Sequence, residues 1–107
     1  MNKTFDFYAD PSHGWLKVPT KLLYSLGIIS EITPYSYCHK KGFFAFLEED
    51  LDVDTFLKAY REKYSFEPKI KSHHTNRSSK IRSYYCFDNT VKDALIKHYE
   101  NNTTNKS

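Results

Sequence analysis

Apolar residues fall along this chain in short runs that order themselves as strand, strand, helix, three times over. Residues 4–9 and 15–18 are brief apolar runs, the first partly alternating, and both suit strands of a pleated sheet. Between them Asp10-Pro11-Ser12-His13-Gly14 predicts a turn, because Pro fixes one backbone angle and Gly frees another. Thr20 reads as the N-cap of a helix that carries Leu22, Leu23 and Leu26 and stops at Gly27. Residues 32–38 and 43–47 are two strand-like runs around His39-Lys40-Lys41-Gly42, a connection suited to a bulged hairpin.

The clearest helix is 55–64, capped by Asp52 or Asp54. Phe56, Ala59, Tyr60 and Tyr64 recur at helical spacing, while Lys58, Arg61, Glu62 and Lys63 face away. Past Pro68, residues 69–71 and 80–87 predict two more strands joined by the polar segment 73–79. In the second, Ile81, Ser83, Tyr85 and Phe87 share one face, and Lys80, Arg82, Tyr84 and Cys86 the other. Asp88 or Asn89 caps a last helix with Val91, Leu95 and Tyr99 along one side. Residues 101–107 are polar and aliphatic-free, which predicts a disordered tail behind a single domain of residues 1–100. The fold class expected is α+β: an antiparallel sheet with two or three helices packed on it.

Composition sharpens this. A chain of 107 residues buries a small core, and 17% of it is aromatic, with nine Tyr and eight Phe. Tyr joins an apolar ring to a polar tip, so its excess favours an exposed binding face. Cys38 and Cys86 are far apart, lie in expected strands and form no C-x-x-C pair, so buried free thiols are expected. The start of the chain has no apolar leader and no segment is long and apolar enough for a bilayer span, which predicts a cytoplasmic protein that makes no membrane contact.

Net charge is only +3, but it is unevenly spread. Glu48, Glu49, Asp50, Asp52 and Asp54 crowd one stretch without a base, whereas Lys69, Lys71, Arg77, Lys80 and Arg82 occupy another without an acid. The basic stretch contains the leading candidate surface: His73, His74, Asn76, Arg77, Ser78, Lys80, Arg82 and Tyr84. Arg77 has the fork geometry for a carboxylate or phosphate, and Arg82 with Tyr84 on one strand face would suit a phosphate beside a stacked base. An acidic protein patch would fit equally well, as would internal pairing with Glu48 to Asp50.

A secondary candidate surface joins Asp10, His13 and Trp15 with Glu48, Glu49 and Asp50. Asp10 could orient His13 for proton transfer or share a metal with it, but as a turn nucleator it needs neither role. The acidic run could hold Mg²⁺, or simply favour a helix N-terminus. There is no zinc-ligand spacing, no nucleophile elbow and, with three Gly, no phosphate-cradling loop. No catalytic residue, metal ligand or cofactor is therefore expected, and the chain is not expected to be an enzyme.

Four motifs occur in order: Asp10-Pro11-Ser12-His13-Gly14-Trp15-Leu16, Tyr35-Ser36-Tyr37, Leu47-Glu48-Glu49-Asp50, and His74-Thr75-Asn76-Arg77-Ser78-Ser79-Lys80-Ile81-Arg82. In these the chain, up to about Tyr85, resembles small proteins carried by bacterial phages and other mobile elements, with Ser12 where those proteins usually have Gly. The resemblance brings no activity with it. It implies a phage-type accessory protein in a bacterial cytoplasm. In that context the bipolar charge, the Tyr excess and the missing active-site motif favour a non-enzymatic protein that binds a host protein complex, with inhibition of a defence or nucleic-acid-processing system as one outcome. Binding of RNA or single-stranded DNA by the 73–82 segment ranks second, and a metal-dependent hydrolase built from Asp10, His13, His73 or His74 with Glu48 to Asp50 ranks third.

Overall fold

A computed structural model describes residues 3–77 and 79–104. Its elements are β1 (Thr4–Ala9), β2 (Gly14–Pro19), α1 (Thr20–Ser25), β3 (Tyr37–Cys38), β4 (Phe44–Glu48), α2 (Asp52–Tyr64), β5 (Lys69–His74), β6 (Tyr85–Cys86) and α3 (Asn89–Thr104). The strand–strand–helix order expected from the sequence holds through all three rounds, and the fold is α+β. Short 3-10 turns at Ile29–Glu31 and Lys80–Ser83 complete it. The helix α3 runs to Thr104, so the tail boundary placed at residue 101 falls inside it; residues 105–107, like Ser78, lie outside the described residues.

The six strands form one sheet in the order β5-β1-β2-β4-β3-β6. Every pairing is antiparallel except β1 with β5, which is parallel over Thr4↔Lys69 to Ala9↔His74. That departure from a wholly antiparallel sheet follows from α2, a helical crossover long enough to return the chain in the same direction.

Strand alternation then sorts the two faces. Leu16, Val18, Ala45, Leu47, Cys38 and Phe5 point to the face covered by helices, where they meet Leu23, Phe56, Tyr60 and Leu95 in the main core. Phe5 meets Phe56 and Tyr60 edge-on, with ring centroids 5.3 and 5.9 Å apart. The opposite face holds a smaller cluster of Trp15, Phe46 and Ile81, flanked by Tyr8, Tyr37, Phe44 and Tyr84.

No helix covers that second face; the β5–β6 link does. β5 and β6 are the two edges of the sheet, so the link must cross five strand spacings of about 4.8 Å, roughly 24 Å. Ten residues, 75–84, could reach about 33–36 Å fully extended, which leaves room for the 3-10 turn Lys80–Ser83 that presses Ile81 onto the sheet.

Two strand expectations fail for identifiable reasons. Residues 32–38 form a strand only at Tyr37–Cys38, because Asp52 is buried beneath the preceding loop and captures it. The Asp52 carboxylate accepts from the Thr33 amide at 3.1 Å and the Thr33 hydroxyl at 2.7 Å, and bonds the Ser36 hydroxyl. Residues 80–87 form a strand only at Tyr85–Cys86, since the 3-10 turn takes the first half. The expected caps shift too. Thr20 is fully buried and donates to the Gly42 carbonyl at 2.7 Å instead of capping α1. The turn into α2 is closed by Glu48, which accepts from the Asp50 and Leu51 amides just before the helix and from the first helical amide, Asp52, at 2.9, 2.6 and 3.2 Å. Asp88 caps α3 as expected, accepting from the Val91 amide at 3.0 Å.

Candidate functional site

The turn between β1 and β2 is where the sequence motifs converge, and its centre is Asp10. Its Oδ1 accepts the Ser12 and His13 amides at 3.0 Å, closing the turn locally. Gly14 follows, where a Cβ would lie 2.3 Å from the tip of the Phe7 ring and would push that ring aside. Across the molecule, Asp10 Oδ2 accepts the Ser79 amide at 3.0 Å, and Arg82 donates to both oxygens through Nε at 2.9 Å and an Nη at 3.1 Å. The Arg82 fork and these amides hold the Asp10 carboxyl well below the usual carboxylate range, and the same contact raises the Arg82 pKa. The guanidinium also lies over the Trp15 ring, 5.3 Å from its centroid.

This bonding corrects several site expectations. Arg82 is committed to Asp10, so it is not a free anion-binding group, and it does not share a strand face with Tyr84. The Asp10–His13 contact goes to the His13 backbone amide, and no bond between carboxylate and imidazole is made. Internal pairing of the basic segment with Glu48 to Asp50 is also not what forms: Arg82 takes Asp10, and His73 takes Asp6 at 2.9 Å while stacking on Tyr8. His74, Asn76 and Arg77 are exposed along the edge and loop, and Ser78 is outside the described residues. The grouping of Asp10, His13, His73, His74 and Glu48 to Asp50 is not brought together, and no cluster of three metal-ligating side chains occurs among the described residues.

The 3-10 turn divides the face crossed by the β5–β6 link into two clefts. One, of about 510 Å³, has Trp15 and Tyr37 in its lining with Tyr35, Leu51, Glu49 and Asp50. Arg82, His13 and Cys86 also border it, so the secondary candidate surface is largely gathered here. Tyr35 is 72% exposed and Leu51 56%. Among the described residues the Glu49 and Asp50 carboxylates make no side-chain hydrogen bond or ion pair, whereas Glu48 is occupied by α2.

The other cleft, of about 440 Å³, takes only Lys80 and Tyr84 from the predicted basic surface. The rest of its basic side chains, Lys17, Lys41 and His39, were not singled out in the sequence. Their signal was faint: Lys17 alternates with the core residues of β2, and Lys41 sits in a hairpin turn where lysine is ordinary. Cys86 is a further correction, exposed where a buried thiol was expected, while Cys38 is buried; both are free.

No protein-family model matches the chain, and no curated protein or solved structure is significantly similar to it. No helix among the described residues is long and apolar enough to cross a membrane.

Proposed function

We propose that this chain is a non-enzymatic protein-binding module whose partner docks a basic segment into the cleft of Trp15, Tyr35, Tyr37, Glu49, Asp50 and Leu51. The observation that carries this reading is the pairing of exposed Tyr35 and Leu51 with carboxylates that are unpaired among the described residues, around an aromatic floor. Large apolar side chains left in water beside a concavity mark interaction surfaces, and Tyr is enriched among the residues that dominate such interfaces. The sign of the rim selects the partner: Glu49 and Asp50 favour Lys- or Arg-bearing surfaces and speed their encounter. The chain's own Arg82, lying over Trp15, is an internal example of a guanidinium on this floor.

This moves the docking surface from the basic 73–82 segment to the acidic side of the same face. The motif resemblance supports a phage accessory role in a bacterial cell, with a host complex as the partner and inhibition as the outcome. The test is capture from nuclease-treated bacterial lysate, comparing the native chain with a Glu49→Lys/Asp50→Lys variant. A stoichiometric protein retained by the first and lost by the second is expected. Undiminished capture by the charge-reversed chain would overturn the assignment to this cleft.

A further inference from the structure

The cleft on the other side of the 3-10 turn has the opposite chemistry and is untouched by the docking surface above. We propose that it binds an unpaired polynucleotide strand, RNA or DNA, whose bases stack on Tyr84 and Phe44 and whose phosphates meet Lys17, Lys41 and Lys80.

The first ground is a belt of rings laid across the sheet. His73 stacks on Tyr8 at 5.0 Å and 18°, Tyr8 is 6.4 Å from Phe46, Phe46 is 5.2 Å from Tyr84, and Tyr84 is 5.0 Å from His39. Each step moves from one chain segment to the next, from the β5 edge across β1, β4 and the 3-10 turn to the β3–β4 hairpin. Phe46 and Ile81 are buried and form the floor, while Tyr8, Tyr84 and Phe44 keep partial exposure above it. Phe43 at the hairpin end is 62% exposed. A row of rings of this kind offers stacking to any base, because every base has a π face.

The second ground is charge. The lining holds three lysines and His39 and, among the described residues, no carboxylate. Lys17 lies over the Phe44 ring, 4.3 Å from its centre, so a base reaching that face displaces the ammonium towards its own phosphate. Lys41 and Lys80 are exposed on opposite walls, one from the hairpin and one from the 3-10 turn. None of the three lysines is engaged in an ion pair among the described residues. The nearby Asp6 is held by His73, and Glu49 and Asp50 border the other cleft, so of the two clefts this one draws a polyanion.

Stacking and charge together choose the occupant. An acidic peptide would satisfy the lysines but leave the ring row without a role. A duplex would meet the lysines but keep its bases stacked inside, out of reach of the rings. An unpaired strand uses both.

The test is fluorescence anisotropy with labelled oligouridylate and oligothymidylate, a hairpin duplex of matched length, and polyglutamate as competitor. Both single strands should bind at low salt and the duplex at least about tenfold more weakly. The Lys41→Glu/Lys80→Glu variant changes two exposed side chains and should stay folded by circular dichroism. It should lose at least tenfold in affinity and flatten the log–log salt slope by about 0.7 per lost phosphate contact. Tyr84→Ala should cost about tenfold at unchanged slope. Absence of binding at low salt, a duplex bound as tightly as a single strand, a lysine variant that binds like the native chain, or equal competition by polyglutamate would each overturn the proposal.

Discussion

At the scale of single residues, Asp10 and Arg82 explain more of this molecule than any other pair. Asp10 nucleates the first turn, as its place before Pro11 predicts, but it also anchors a guanidinium 72 residues away. Its folded-state pKa is depressed, so the stabilisation it provides is present above the unfolded carboxylate value near 3.9 and is lost as pH falls through that value towards the folded one. Thermal midpoints of the native chain should therefore drop steeply below about pH 4. Asp10→Asn should lower the midpoint at neutral pH and flatten the acid limb; equal acid slopes for the two proteins would rule this linkage out. The thiols give a second residue-scale outcome. Burial pushes Cys38 up to about 11, while Cys86 is exposed. Iodoacetamide at mildly alkaline pH should label Cys86 alone in the folded chain and both thiols in denaturant, as intact mass would show.

At the scale of elements, legibility followed periodicity. The helices α2 and α3 were readable because Phe56 and Tyr60, or Val91 and Leu95, repeat at helical spacing over enough turns to outweigh local exceptions. Residues 80–87 misled because alternation of Ile81, Ser83, Tyr85 and Phe87 is compatible with a strand, yet the link must also turn while crossing the sheet. The ends of α2 yield two opposed predictions. Glu48→Ala removes the acceptor for three amides and should cost about 1 kcal/mol in urea unfolding. Ser65 ends the helix at φ 65°, a left-handed conformation that glycine adopts freely, so Ser65→Gly should gain about 0.5–1 kcal/mol in the same assay. A loss on Ser65→Gly would mean that the serine side chain contributes something beyond its backbone geometry.

At the scale of the whole molecule, one sheet face is divided by charge, with Glu49 and Asp50 of the acidic stretch on one side and Lys80 of the basic stretch, joined by Lys17 and Lys41, on the other. The crossing link separates an acidic aromatic cleft from a basic aromatic one, and the rim residue Tyr35 should matter only to the first. Tyr35→Ala should weaken the captured protein partner about tenfold or more by surface plasmon resonance while leaving oligonucleotide binding unchanged. Equal loss of both ligands would show that the two clefts do not act separately.

The sequence by itself determined the order of elements, the two long helices, the first turn and the positions of β2 and β4 as apolar runs, because each rests on spacings of a few residues. Only the tertiary structure decided that Arg82 is committed to Asp10, that Lys17 and Lys41 join Lys80, and that Glu48 serves a helix while Glu49 and Asp50 border a cleft. Those outcomes depend on which strands become neighbours and on which side of the sheet the 75–84 link crosses. Such choices are made by long-range packing, and the residues they bring together carry no shared local pattern that could announce it.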